Sequence, residues 1–586
     1  MCGIAGFMTV DGTSPSDGLL ESFAKSLAHR GPDGVGRFRE KNVAIVQTRL
    51  AIIDLETGEQ PITEPDGRVI AANGEIYNFV ELRASLPDVA LKTGSDCEPP
   101  LHLYARKGLA FVDDLRGMYA ISIYDSEKDR LILSRDPFGI KPLYYSETPR
   151  GFAFASEPQA LIAAGLVKAE VRSQSRDAYM QLQFTTGRHT IFEGIKRVLP
   201  GETLIVKRGL VVDHHMKLAL QAGAPKPMCE ADAMAKMEKA LIDSVKVHQR
   251  SDVPYGLFLS GGIDSSVLLS LMAELNDNPI KAFTAGFSGT DVADEREHAR
   301  MLAKKVGAEH TEVEFDENDF ITLLPQIAEA IDDPIADYAV LPTFKLAREA
   351  KKQVKVVLSG EGGDELLGGY SRYRGYRRPW PLRKEMRNTG TFDSLGVFKK
   401  DLGKEWRHGI EVAENYVQKF GWSRLQRAQA IDCIDWLPHD LLIKLDRCLM
   451  ANGVEGRTPF LDPVVADAVF HLPDDLKIRN KRGKFLLRKW LDKRLPEAKA
   501  FSKKRGFTVP VGHWISTHGA QLGPLVAYQA GIEEICDKNV VITLFMTEGK
   551  KEGFAAWTLL FYALWHQRHI LGLKCDGDIF DALSMK

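Results

Sequence analysis

An apolar run at 255–259 stops abruptly in Ser260-Gly261-Gly262-Ile263-Asp264-Ser265-Ser266, and a helix-like stretch, 265–275, begins where that segment ends. A strand that turns straight into a helix through two glycines is the opening of a strand–helix–strand unit. Further apolar runs at 281–287 and 354–358 each end in Ser or Gly, with a helix-like segment at 294–306 between them. Strands separated by helices at this spacing predict a doubly wound parallel α/β sheet, whose ligands gather at the carboxyl ends of the strands.

The first two hundred residues read differently. Strand-like runs at 43–54, 118–125, 130–136 and 152–156 are rich in β-branched or aromatic residues and bounded by Gly, Pro, Asp or Asn. The pattern changes at 199–202 and across the polar, Pro-containing stretch 221–230. Beyond about Ser371 the chain reads as mainly helical, without repeats or low-complexity tracts. The expected organisation is a first domain at 2–205, a linker at 206–235, a second domain at 236–530 and a helical extension of it at 531–586.

A formal net charge of -2 gives no general attraction to nucleic acid or an anionic membrane, so neither is an expected partner. Seven cysteines, at 2, 97, 229, 433, 448, 536 and 575, form no CxxC pair and so no zinc or disulfide framework. The apolar start MCGIAGF lacks a basic region and a long apolar core, and the run 554–565 is too short to span a bilayer. That run is expected to be a buried helix, and the protein cytoplasmic.

The glycine loop has a chemical reading. Gly261 and Gly262 let backbone N–H groups approach an anion, the helix start adds positive dipole, and Ser260, Ser265 and Ser266 offer hydroxyls. Asp264 makes sense in an anion loop if it holds Mg²⁺. The GK[ST] ending of a Walker A loop is missing. The segment resembles instead the S-G-G-x-D-S pyrophosphate loop of ATP pyrophosphatases, which cleave ATP to AMP and pyrophosphate. A bare Ser-Gly-Gly would be an ordinary turn; the whole motif between strand and helix says more. A second glycine-rich segment, SGEGGDELLGGY at 359–370, also follows an apolar strand. Two loops on one sheet edge would set Asp264, Glu361 and Asp364 around one ligand.

Cys2 becomes the terminal residue if Met1 is removed. A terminal cysteine carries its own base, because an α-amine (pKa about 7.7–8) and a thiol (about 8.5) exchange a proton easily near neutral pH.

MCGI at 1–4, HRGPD at 29–33, Arg49-Leu50, NGEIYN at 73–78, TGSD at 93–96 and RDPFG at 135–139 occur in the order seen in class II glutamine amidotransferases. Together with the two glycine loops, the whole chain resembles the glutamine-hydrolysing asparagine synthetase family. The resemblance implies an N-terminal αββα sandwich of the N-terminal-nucleophile type. In it Cys2 attacks the glutamine amide, and Asn73 and Gly74 form the oxyanion hole. Arg49 holds the glutamine α-carboxylate, while Glu75 and Asp96 take its α-ammonium. His29 and Cys97 are expected to be scaffolding, and Arg30 and Asp33 to brace their loop.

For the second half the resemblance implies that ATP activates the carboxylate of aspartate as an acyl-adenylate, which ammonia from the first half converts to an amide. Leu259, Ala285, Ser359 and Gly360 would contact the nucleotide, along with residues 260–266. Asp264 and Asp364 would bind Mg²⁺, Glu361 would accept a proton, and Lys484 would offset phosphate charge. Asp446-Arg447 and the segment 455–462 match family positions expected to shape the domain interface and ammonia route. Gly363 stands where the family commonly has Ala or Ser, a change expected to be tolerated while loosening the loop. A homodimer is expected by analogy.

The same chemistry on another carboxylate, cell-wall diaminopimelate or a small peptide, is the nearest alternative. RNA-thiolating enzymes share pyrophosphate loops, but the charge, the absent cysteine pairs and the complete first half argue against them. β-Lactam-forming relatives have lost the nucleophilic cysteine that this chain keeps.

Overall fold

A computed structural model describes residues 2–287, 295–379, 381–382, 384–502, 509–574 and 576–585. Met1, Asp294 and Cys575, all used in the reading above, lie outside the described residues. The six described cysteines are free.

Twelve strands build the first half: β1 (Gly3–Thr9), β2 (Gly34–Glu40), β3 (Val43–Arg49), β4 (Ile62–Thr63), β5 (Arg68–Ile76), β6 (Gly117–Asp125), β7 (Arg130–Arg135), β8 (Tyr144–Thr148), β9 (Gly151–Ala155), β10 (Lys196–Arg197), β11 (Glu202–Lys207) and β12 (Leu210–Met216). They form two six-stranded antiparallel sheets, ordered β10-β8-β9-β1-β3-β2 and β12-β11-β7-β6-β5-β4. Side-chain alternation explains the stacking. Ile4 and Met8 join Val43, Val69, Ala71, Leu131 and Leu133 in the core between the sheets. Ala5 and Phe7, on the opposite face of β1, share a second core with Phe23 and Leu27 of the helix Asp17–Leu27. On the far side Ile70, Ala72 and Ile121 pack with Leu101 and Tyr104 of the helix Pro99–Lys107. The result is an αββα sandwich.

Two boundaries differ from the sequence reading. The run 43–54 leaves the sheet after Arg49, and the chain turns at Asp54, whose φ is 55°. Residues 210–216, inside the stretch expected as linker, form β12 and pair with β11. The helix Glu230–His248 then starts within the same expected linker, capped by Cys229 Sγ.

The second half holds a five-stranded sheet: β13 (Tyr255–Phe258), β14 (Lys281–Phe287), β15 (Glu309–Phe315), β16 (Val356–Leu358) and β17 (Glu455–Arg457). All neighbours are parallel, in the order β15-β14-β13-β16-β17. The strand order reverses around β13, so the ends of β13, β14 and β16 open a crevice. The stretch after residue 371 is mainly helical as expected, and β17 is the one named strand among its described residues. Three residues, two of them charged, show no strand period, yet pairing with β16 holds them extended. The run 554–565 lies in the helix Lys550–His569 and is almost wholly buried. Its Trp557 and Trp565 indoles donate to the carbonyls of Ala336 (2.7 Å) and Asp332 (3.0 Å). No described helix is long and apolar enough to cross a membrane.

Candidate active sites

Cys2 leads into β1 and is buried. Its N–H donates to Asn73 Oδ1 at 3.2 Å, and its carbonyl accepts from Arg30 Nε at 3.1 Å. Asn73 sits on β5 of the other sheet, its amide reaching Ser156 Oγ at 3.5 Å. The register Gly3↔Thr48 sets Arg49 across from Cys2. Gly74 has φ 150°, and a Cβ there would lie 2.0 Å from the Met118 carbonyl oxygen, so only glycine keeps this backbone.

Glu75 and Asp96 are both buried, and Asp96 Oδ2 accepts from the Ile76 N–H at 2.7 Å. Burial pushes the Asp96 carboxyl up to about 6, with the Ile76 N–H opposing and Glu455 adding to it. Glu75 is pushed well above the usual carboxylate range, first by burial and then by Glu455 and Asp96. Crowded acids of this kind favour a cation. Arg49, by contrast, folds back on its own loop and donates to the carbonyls of Ile53 (3.5 Å) and Asp54. The loop is tied to the Asp96 segment through the Gly94 N–H, which donates to Asp54 Oδ2 at 2.7 Å. Thus Cys2, Asn73, Gly74, Glu75 and Asp96 are gathered, while the Arg49 guanidinium is engaged beside them.

The second site is a cavity of about 290 Å³ at the carboxyl edge of the parallel sheet. Leu259, Ser260, Gly262, Asp264 and Ser265 line it from the first loop, Ala285 from β14, and Ser359, Gly360, Glu361 and Asp364 from the second loop. Ser260 N–H donates to Ser265 Oγ at 3.2 Å, bracing the loop. Gly261 bends it at φ 68° without lining the cavity. Ser266 departs from expectation. Its side chain is fully buried on the inner side of the helix, away from the cavity lining.

Lys484 ties the two loops together. Its ammonium pairs with Asp264 and, at 2.8 Å, with Asp364. Burial pulls its pKa down, but those two carboxylates outweigh it and leave it raised. The close approach depends on absent side chains: a Cβ on Gly369 would meet Asp364 Oδ1 at 1.7 Å and Lys484 Cε at 2.5 Å. Gly363 has the same logic. A Cβ there would come within 2.4 Å of Asp264 Oδ1, so this glycine makes room for the carboxylate. The expected loosening of the loop is replaced by a tighter fit. Glu361 accepts from Ser359 Oγ. Two hard carboxylates converging beside an anion loop fit Mg²⁺ in donor chemistry.

Buried charges join the halves. Arg30, with no exposed surface, donates to Asp446 Oδ2 (2.7 Å) and Oδ1 (3.0 Å) and to Glu157 Oε1 (2.7 Å). Arg447, within the second half, donates to Asp332 (2.8 Å) and Asp446 (2.9 Å) and lies 3.7 Å from Glu157 of the first. Arg116 grips Asp462 with contacts of 2.7–3.0 Å. A buried guanidinium stripped of one partner leaves an uncompensated charge, so such a lattice fixes a single docking geometry.

Residues 1–216 match the Glutamine amidotransferase domain family, and residues 236–567 match the Asparagine synthase family. The chain is 33% identical to Asparagine synthetase [glutamine-hydrolyzing] 1 of Bacillus subtilis, covering 97% of both chains. It is 32% identical to a putative glutamine-hydrolysing asparagine synthetase of Mycobacterium bovis, again over 97% of each. Asparagine synthetase B of Escherichia coli is 30% identical, with 88% of this chain and 84% of that one covered. The chain belongs to the glutamine-hydrolysing asparagine synthetases.

Some of the synthetase's structural parts had no sequence signal. Glu157 and Asp332 lie in no motif, yet both complete the interface. Arg30 sits in HRGPD, but its reach to Asp446, 416 residues away, is purely tertiary. His29 Nε2 lies 3.1 Å from Glu157, and Cys97 is buried with its thiol pushed up by that burial.

The acids of the glutaminase half predict a pH dependence. If Asp96 and Glu75 receive glutamine's ammonium, both must be ionised; Asp96 is pushed up to about 6, and Glu75 is raised well above the usual carboxylate range. Glutaminase kcat/KM for glutamine should therefore begin to fall at or above about pH 6, by about tenfold per unit where one acid titrates and up to about a hundredfold where both do. Bound ammonium favours the ionised acids, so kcat should fall at lower pH than kcat/KM. Steady-state rates from pH 5 to 8 check this; coincident profiles would exclude it.

Proposed function

We propose that the chain makes asparagine from aspartate, with nitrogen from glutamine, through a β-aspartyl-AMP intermediate. Cys2 Sγ attacks the glutamine side-chain amide and forms a glutamyl thioester as ammonia leaves. Burial pushes the Cys2 thiol up, so a local base must take its proton. The α-amine freed by loss of Met1 is that base. The Asn73 amide and Gly74 N–H carry the oxyanion of the tetrahedral intermediate. Glu75 and Asp96 receive the glutamine ammonium, and Arg49 exchanges its loop carbonyls for the α-carboxylate.

In the synthetase half the aspartate carboxylate attacks the α-phosphorus of ATP, and pyrophosphate leaves. Leu259, Ala285, Ser359, Gly360 and the loop 260–265 hold the nucleotide. Asp264 and Asp364 would hold Mg²⁺, which would supply positive charge against the pyrophosphate. Lys484 adds positive charge as the pentavalent centre forms. Ammonia then attacks the adenylate, AMP leaves, and Glu361 accepts the proton. Ammonium is not nucleophilic, and most free ammonia is protonated at neutral pH. An enclosed passage across the charged interface keeps it reactive. A cytoplasmic homodimer is part of the same proposal and rests on the family likeness.

The observation that carries the reading is Arg30, which binds the backbone of Cys2 and the synthetase residue Asp446 with one guanidinium. The nucleophile's position and the docking of the halves are a single arrangement. The test is AMP and asparagine formation by purified protein given ATP, Mg²⁺, glutamine and aspartate. Equal AMP and asparagine are expected. Glutamine hydrolysis without aspartate-dependent AMP would reject aspartate as the acceptor.

A further inference from the structure

Arg457 lies between the two sites. It ends β17, the edge strand of the synthetase sheet, and has no exposed surface. Its Nε donates to Glu455 at 2.6 Å, and its Nη1 to the carbonyls of His248 (2.8 Å) and Arg250 (2.7 Å). Its Nη2 faces Glu75 Oε2 across the domain boundary at 3.3 Å. Both of these atoms are enclosed, and neither has an aligned hydrogen bond. Their contact is electrostatic and leaves the Glu75 oxygen able to accept from an ammonium. At its backbone, the Arg457 carbonyl accepts the Ser359 N–H at 2.8 Å, and Ser359 Oγ donates to Glu361.

We infer that Arg457 is a positioning residue for glutamine, keeping Glu75 a carboxylate and so making the glutamine ammonium subsite depend on the docked synthetase strand. The inference rests on the assignment of Glu75 to that ammonium. The groups around Glu75 are Asp96 and Cys97 from one loop, Cys2 from β1, Tyr77 beyond the end of β5, and Glu455 and Arg457 from β17. Glu455 and Asp96 resist a further negative charge there, Glu455 more than Asp96, while Arg457 and the N-terminal amine oppose them. A guanidinium cannot lose its proton, so Arg457 offers a constant opposing charge. Burial, Glu455 and Asp96 already push Glu75 up, so losing Arg457 pushes it up further and weakens its hold on an ammonium. The same residue's carbonyl anchors the loop of Glu361, so one strand end sets both sites.

The test compares R457Q, R457K and E75Q in the intact chain, with folding checked by circular dichroism and melting. R457Q should raise KM for glutamine about tenfold or more in the glutaminase assay, with kcat retained. The acid limb of its kcat/KM should move to higher pH. Ammonia-dependent asparagine synthesis should keep its KM for aspartate and ATP. R457K keeps the charge but loses the planar fork; a smaller rise in KM with an unmoved limb is expected, and it carries the test if R457Q does not fold. Unchanged glutamine KM in either folded variant overturns the inference, as does a parallel fall in glutamine- and ammonia-dependent rates. E75Q separates the two levels. If it raises KM while the Arg457 variants do not, only the role of Arg457 fails; if it leaves KM unchanged, the assignment of Glu75 fails with it.

Discussion

Cys2→Ala should abolish glutamine-dependent asparagine formation, by about 10⁴-fold or more, and leave ammonium-dependent formation intact. The substitution removes one sulfur atom and little else. Two hydrogen bonds that hold residue 2, the N–H to Asn73 and the carbonyl to Arg30, are made by its backbone and Ala keeps them; the Leu50 backbone contact to the thiol is lost. The interface pairs Arg30–Asp446 and Arg30–Glu157 are also untouched. Ammonium supplied from solution bypasses the thioester, so the synthetase half should work at high ammonium concentration. Asparagine and glutamate are measured with glutamine or ammonium as nitrogen source. A variant that still hydrolysed glutamine at a substantial rate would place the nucleophile elsewhere.

Lys484→Met should do the opposite. Adenylation, followed as aspartate-dependent pyrophosphate release, should fall about 10²–10³-fold, while glutamine hydrolysis persists. Lys484 is 3% exposed, and its ammonium is the cation shared by Asp264 and Asp364. Met fills the same channel past Gly369 but leaves the two carboxylates facing without that charge. On the proposed mechanism, charge developing at the α-phosphorus then loses the compensation Lys484 would supply. Partial recovery at raised Mg²⁺ is expected, because added Mg²⁺ relieves part of the carboxylate repulsion. Normal pyrophosphate release would return Lys484 to a structural role.

Much of this molecule could be read before its fold was known, for reasons that differ by residue. The loops at 260–266 and 359–370 are legible because backbone N–H approach to an anion requires glycines at fixed spacing, and those glycines are contiguous in sequence. Cys2 is legible through its position. Other parts are silent. β17 is three residues long and carries Glu455 and Arg457; no periodicity identifies it, and its extended form is imposed by β16. β12 lies in a polar stretch that reads as linker and becomes a strand by pairing with β11. Ser266 illustrates the reverse case, a motif hydroxyl that helix geometry turns inward.

Local chemistry along the chain determined the class of each half, the two glycine loops and the candidate nucleophile, because turns, caps and anion loops depend on neighbouring residues. Tertiary structure alone decided which charges meet. Arg30 finds Asp446, Arg116 finds Asp462 and Arg457 finds Glu75, across separations of hundreds of residues. Such pairs form only where folding excludes water, since in water the same charges would be screened and interchangeable.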